Sequence, residues 1–223
     1  MLVLARVVET EQGDIDRALD INRQILDIDE RNEQSLDALE RLYLGKGRFA
    51  DLLEVYQRKL SLTSDGDERV RIQSRIGQLY EDEVRDDKQA IVAYQAILDA
   101  VGDEASALSA LDRIYARNQM WPELADVISR QITLVSPDEE RARYLELKYR
   151  LGEVREQHLG KTEDAVEAYR DVLDLDPQHQ KGPRRARASS RQRRPRRAAV
   201  GGRQYPGAGL RAARGVVGAG RRA

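Results

Sequence analysis

The chain has 223 residues, with 38 Lys+Arg, 39 Asp+Glu, two His, one Trp, no Cys and a formal charge of −1. The lack of cysteine excludes disulfide frameworks, thiolate metal sites and cysteine nucleophiles, and fits a reducing, cytoplasmic compartment. The longest uncharged run in residues 1–181, Gln89 to Leu98, is ten residues, against about 20 for a membrane span, and the apolar Met1–Ala5 is too short for a secretory leader.

The near-zero charge conceals two segments. Residues 182–223 carry 13 Arg and no Lys, Asp or Glu, whereas residues 1–181 carry 25 basic and 39 acidic residues, a net of −14. The sequence therefore predicts a repeat array over 1–181 and a separate basic tail over 182–223.

The first segment repeats itself, and a fixed period marks a stacked-repeat architecture. Ser35-Leu36-Asp37-Ala38-Leu39-Glu40-Arg41-Leu42-Tyr43 recurs 72 residues later as Ala107-Leu108-Ser109-Ala110-Leu111-Asp112-Arg113-Ile114-Tyr115. The same step carries Phe49 to Trp121 and Ala18-Leu19 to Ala90-Ile91, and a step of 75 carries Ala90 to Ala165 and Tyr94 to Tyr169. A shorter period of 34 lies inside, from Ala18 to Leu52 and from Ala90 to Leu124. Five units in two alternating kinds result.

Each unit predicts two helices. They fall near 2–12 and 15–28, 33–45 and 48–62, 67–85 and 87–100, 104–118 and 121–135, and 138–159 and 162–175. Over 48–62, Phe49, Leu52, Leu53, Tyr56 and Leu60 recur at steps of three and four, the period of one helix face. Ser136-Pro137-Asp138-Glu139 reads as a cap, a first-turn proline and a capping-box acid, and Ser64-Asp65-Gly66-Asp67 does similar work. Gly13, Gly47 and Gly160 fall at reversals between paired helices, where a tight turn needs positive φ or no side chain. Glu81-Asp82-Glu83 reads as an exposed helix end. A pair of helices cannot bury its apolar stripe alone, so the units must stack as a solenoid.

These residues resemble the tetratricopeptide repeat. Ile76-Gly77-x-x-Tyr80, the small Ala90, the aromatic Tyr94 and Gly102 follow its pattern in one unit. Leu151-Gly152, Ala165, Tyr169 and Asp176-Pro177 follow it in another. Lys59 and Gln131 depart from it, standing where the family usually has alanine, and the connectors before Ala90 and Ala165 each carry one extra residue. The resemblance implies an all-α, right-handed superhelical solenoid of about five helix–turn–helix repeats, with first helices lining a concave groove where partners usually lie. Met1 enters partway along a first helix, which fits a piece of a longer array.

On that mapping the groove presents Arg41, Arg71, Ser74, Gln78, Arg113, Arg117 and Tyr149 as candidate partner contacts, alongside Asp37, Glu81, Ser109, Glu146 and Glu153. The arginines suit forked contacts to a partner's carboxylates; the competing reading pairs them with neighbouring acids such as Asp112. Some members clamp a C-terminal carboxylate with a Lys and an Asn on one helix. Asp37 and Arg41 occupy those places here, which disfavours a clamp.

Little else carries chemistry. His158 and His179 fall in connectors and read as solvated. No motif places a serine beside a base and an orienting group. Asp27-x-Asp29 opens like a calcium loop but has Asn32 at the sixth position and Ala38 at the twelfth, where Gly and Glu are required. No catalytic, cofactor or metal site is expected, and the protein is not expected to be an enzyme. The recurring tyrosines could stack bases, but a segment of charge −14 repels phosphate, and their spacing fits core packing.

The sequence thus predicts a non-catalytic scaffold that binds a protein or peptide segment in the groove. The alternative is nucleic-acid or anionic-surface binding through an Arg-rich, disordered tail. The tail has a second reading. Arg, Ala, Gly and Pro supply 33 of its 42 residues, the mix that a GC-rich gene gives out of frame, and it begins where the alternation predicts another Leu36–Tyr43-like unit.

Overall fold

The computed structural model describes residues 1–177. Within them the chain forms ten α-helices: α1 (Leu2–Thr10), α2 (Ile15–Ile28), α3 (Glu33–Lys46), α4 (Phe49–Leu62), α5 (Gly66–Leu79), α6 (Asp87–Val101), α7 (Ala105–Arg117), α8 (Trp121–Leu134), α9 (Arg141–Gln157) and α10 (Thr162–Leu175). The expected boundary at 181/182, the basic tail and His179 lie outside the described residues.

Acceptor side chains set several of the starts. Asp14, Asn32, Asp65, Asp86 and Glu104 each accept a hydrogen bond from the backbone N–H two or three residues on, satisfying donors that the first turn leaves unpaired. Two expected elements differ. Residues 137–140 form a turn, with Glu140 N–H on the Ser136 carbonyl at 2.9 Å, and α9 starts only at Arg141. The helix expected over 67–85 changes character at its end, where Tyr80–Val84 is a π-helical turn.

That π-turn absorbs an extra residue, and the length of the reversal distinguishes the two kinds of unit. In α3–α4 and α7–α8 the reversal closes over five residues, Arg48 N–H to Tyr43 O and Met120 N–H to Tyr115 O, both 2.9 Å. In the other kind it closes over six: Asp14 to Val8, Asp86 to Tyr80 and Lys161 to Arg155. Every one of these reversals has a left-handed residue. Gly13, Gly47 and Gly160 fill it at three, as the sequence predicts, but Arg85 (φ 62°) and Gln119 (φ 57°) fill the other two.

Consecutive helices pack antiparallel, and each pair stacks on the next, so the core is a strip rather than a ball. Leu19, Leu52, Ile97, Leu108, Leu111, Leu124 and Ile128 lie fully inside it. At about 1.5–3 kcal/mol for each large apolar side chain buried, a few per interface hold neighbouring units together. Tyr43, Tyr56, Tyr94, Tyr115 and Tyr169 are buried as well, which is the packing role expected of them. Two close approaches depend on glycine. A Cβ on Gly77 would stand 2.7 Å from the ring of Tyr94, and one on Gly152 would stand 2.4 Å from that of Tyr169.

Gly152→Ala should therefore destabilise the fold by about 1–3 kcal/mol through overpacking. Gly45, inside α3 with nothing within 4 Å of a built Cβ, should gain about 0.5–1 kcal/mol as alanine. Chemical denaturation of the two variants checks both signs. In the same assay Gln119→Gly should gain up to about 1 kcal/mol by removing a left-handed side-chain residue.

Candidate functional site

The first helices α1, α3, α5, α7 and α9 are tied side by side by a ladder of ion pairs. Glu9 of α1 receives Arg41 of α3 in a two-pronged contact, one prong at 2.8 Å. Glu40 of α3 receives Arg75 of α5. Glu81, in the π-turn that follows α5, receives Arg113 of α7 at 3.0 Å. Asp112 of α7 receives Arg150 of α9 with two prongs, one at 2.7 Å. The rungs obey the sequence repeat: Glu9, Arg41 and Glu40 recur 72 residues on as Glu81, Arg113 and Asp112, and Arg75 recurs 75 residues on as Arg150.

Each rung is lopsided. The Glu81 side chain is 6% exposed and that of Arg113 is 61%, and the other three acids are likewise the more buried partners. A carboxylate taken out of water needs a cation and hydrogen-bond donors, and the fork from the next unit supplies both. Glu81 therefore overturns the exposed-end reading. It also takes Arg117 at 3.5 Å and lies against the Tyr94 hydroxyl, whose pKa is pushed up to about 12 by burial and then by the Glu81 charge. Glu40 is a second hub, receiving Lys59 and the Tyr56 hydroxyl (3.2 Å) besides Arg75. Lys59 also reaches Asp37 at 2.7 Å. Its place in the alanine position is thus explained: the ammonium neutralises a half-buried acid. At the equivalent Gln131, the buried Oε1 has no hydrogen-bond partner.

The candidate contacts divide on this geometry. Arg41, Arg113 and Arg117 are struts, Arg117 bridging Glu81 and Asp87, with Asn118 on Asp87 at 2.6 Å. Tyr149 donates to Glu153 at 2.9 Å and tilts against Tyr169, ring centres 5.7 Å apart. Arg71 pairs with Glu68 inside α5 alone. With the half-buried Ser74 and exposed Gln78 it follows a line of three- and four-residue steps along that helix. Arg41 and Arg71 are brought together, lining with Lys59, Arg75, Leu44 and three acids an open depression of about 460 Å³. His158 is not merely solvated: it ends α9 and its ring stacks on Trp121, centres 3.6 Å apart and 8° from parallel. The signal for Glu81 was present in the 72-residue step that aligns it with Glu9 and Arg113 with Arg41.

Among the described residues no cluster of three or more His, Cys, Asp or Glu is arranged to hold a metal ion, and no helix is long and apolar enough to cross a membrane.

Residues 35–70 and residues 146–179 each match a family model of the tetratricopeptide repeat. No curated protein matches the chain. Among solved structures, MamA is 18% identical over 78% of this chain and 95% of its own, with a TM-score of 0.45. YrrB, described as a TPR protein with an unusual peptide-binding site, is 15% identical over 85% and 90%, with a TM-score of 0.44. A tetratricopeptide repeat protein from Parabacteroides merdae is 16% identical over 80% and 66%, with a TM-score of 0.46.

Removing a strut strands a buried acid. Arg150→Ala should cost about 1–3 kcal/mol by leaving Asp112 without its fork, whereas Arg71→Ala, at an exposed pair within one helix, should stay within about 0.5 kcal/mol; denaturant titration separates them. The hydrogen bonds from Arg41 to Glu9, and from Arg117 to Asp87, hold both carboxyls below their ordinary values. A lowered pKa gives stability that is present above the ordinary value and lost as pH falls through the folded one. Unfolding free energy should accordingly hold level down to about pH 5 and drop below pH 4.5, the ordinary glutamate value. Arg41→Gln should make that drop shallower.

Proposed function

This chain is a tetratricopeptide-repeat protein, and from that premise we propose that it is a non-catalytic scaffold that holds an extended segment of a partner protein along the face formed by its first helices. The observation that carries this reading is the row of Arg71, Ser74 and Gln78 on α5. These side chains follow one line along α5, whose Arg71 shares an open depression with Arg41 and Arg75, yet none of the three takes part in an inter-unit rung. Arg71 is the natural anchor. Its guanidinium is exposed and tied only to a neighbour one turn away, a tie worth about 0.2–0.5 kcal/mol, so a partner carboxylate or backbone carbonyl can take it over. The struts Arg41, Arg75 and Arg113 contribute by position: each guanidinium is held on an acid of the preceding unit, so it meets a partner with less freedom left to lose. The absence of cysteine fits work in the cytoplasm.

The reading is tested with peptides selected from a random library on the immobilised full chain. Arg71→Ala combined with Gln78→Ala should weaken the selected peptides about tenfold, equivalent to about 1.4 kcal/mol, at an unchanged melting temperature. Selected peptides that bind the double variant as tightly as the parent chain would place recognition elsewhere.

A further inference from the structure

The units α5–α6 and α9–α10 share a device that α1–α2 lacks. Tyr94 and Tyr169, on the second helices, lie flat on Gly77 and Gly152 of the first, where a Cβ would stand 2.7 and 2.4 Å from their rings. Tyr169 donates to Glu156 at 3.2 Å, and the Tyr94 hydroxyl lies against Glu81. Through the 72-residue step, α1–α2 has Ala5 for Gly77, Asn22 for Tyr94 and Glu9 for Glu81. The acid is kept, together with its arginine (Arg41 for Arg113), and the ring is gone.

Asn22 does not replace it, because its Nδ2 turns back to the Ala18 carbonyl of its own helix at 2.8 Å. Among the described residues Glu9 receives hydrogen bonds from Arg41 alone, and its side chain is 14% exposed against 6% for Glu81. Ala5, Glu9, Asn22 and Arg41 line one open depression of about 640 Å³ between α1 and α3, with Leu2 and Ala38 as apolar walls. This depression is not an end of the stack. The side chains of α5 that pack on the preceding unit are Ile76 and Leu79, which join Leu52, Val55 and Tyr56 of α4. Their counterparts on α1, Leu4 and Val7, do not line the depression.

We propose that the depression between α1 and α3 is a subsite for a tyrosine side chain of the partner segment, the ring lying over Ala5 and the hydroxyl donating to Glu9. The assignment rests on the scaffold function proposed for this face and names the side chain that the partner brings to it. The ring rides higher than that of Tyr94, because the Ala5 methyl stands where Gly77 leaves room. A phenol suits the site because it joins a flat apolar body to one donor. An aliphatic side chain would leave Glu9 without that donor, and a carboxylate would face Glu9 itself. The depression adjoins the one beside Arg71, sharing Asp37 and Arg41 with it. With neighbouring first helices about 10 Å apart and an extended segment advancing about 3.3 Å per residue, the tyrosine stands about four residues from the carboxylate that Arg71 receives. Tyr205 of this chain does not meet that requirement, because residues 178–223 hold no Asp or Glu.

The test uses the full chain and two probes. p-Cresol, the tyrosine side chain as a free molecule, is followed by the amide NMR shifts of Ala5 and Asn22. It should saturate in the millimolar range and bind severalfold tighter than 4-methylanisole, which cannot donate. Ala5→Gly with Asn22→Tyr restores the internal pattern and fills the depression, so this variant should melt no lower than the parent chain and bind no p-cresol. Unsaturable shifts, equal binding of the ether, or undiminished binding to the filled variant overturns the proposal. Peptides selected from a random library are the second probe. They should carry a tyrosine about four residues from an Asp or Glu and bind the filled variant about tenfold more weakly. Replacing the peptide's tyrosine by phenylalanine should weaken binding to the parent chain severalfold, a measurement that needs no variant of the chain; unchanged binding overturns the proposal. Peptides that respond to Arg71→Ala with Gln78→Ala but bind the filled variant as tightly as the parent would sink the tyrosine subsite and leave the scaffold function standing, whereas failure to select any peptide sinks both. Tyr205→Leu should change neither probe. p-Cresol binding that appears only in that variant assigns the site to the chain's own Tyr205 and overturns the proposal.

Discussion

The array depends on a carboxylate, buried or half-buried at one first helix, gripped by an arginine from the next. Apolar stripes draw neighbouring units together, but burial of apolar area has no direction, and a stripe of leucines tolerates sliding or rotation of the partner helix. A buried carboxylate does not, because its stabilisation requires donors at hydrogen-bond distance. Glu9, Glu40, Glu81 and Asp112 each present that requirement to the following unit, and Arg41, Arg75, Arg113 and Arg150 meet it. The mutual register of five first helices is fixed by four such pairs.

The alternation of the units follows from how each chain reversal closes. Five-residue closures, at Arg48 and Met120, and six-residue closures, at Asp14, Asp86 and Lys161, deliver the second helix at different points along the first. The glycines that let a tyrosine ring lie flat on a first helix, Gly77 and Gly152, both belong to six-residue units. Tyr94 and Tyr169 then bring their hydroxyls to Glu81 and Glu156. In the five-residue α3–α4 unit the second helix brings both Tyr56 and Lys59 to Glu40.

The helices were legible in the sequence because the apolar period and the caps are local features: α2 and α10 occupy the expected residues 15–28 and 162–175. The start of α9 was not, because Ser136-Pro137 favours an isolated turn as readily as a helix cap, and the choice rests on where α8 leaves the chain. The extra residue before Ala90 was visible as a count, but its placement in a π-turn ending at the left-handed Arg85 depends on the packing of α6. At the candidate site the sequence named the arginines and left their partners open. A run such as Glu81-Asp82-Glu83 looks uniformly solvated along the chain. Only the stacked first helices show that Glu81 points inward while its two neighbours point out.

The same face therefore carries two demands. Most of its arginines are committed to acids of the chain itself, so a partner meets guanidinium groups that are already half-neutralised, within residues 1–177 that carry 24 basic and 39 acidic side chains. Long-range attraction from such a surface is weak for an anionic segment, and binding must come from short-range, oriented contacts. Oriented contacts are what pinned forks provide: an arginine held on a buried carboxylate has lost its rotameric freedom during folding, not during association. On this account the ladder that holds the stack in register also prepares the face for a ligand. On the function proposed above, selectivity falls to the few side chains, Arg71, Ser74 and Gln78 foremost, that no rung employs.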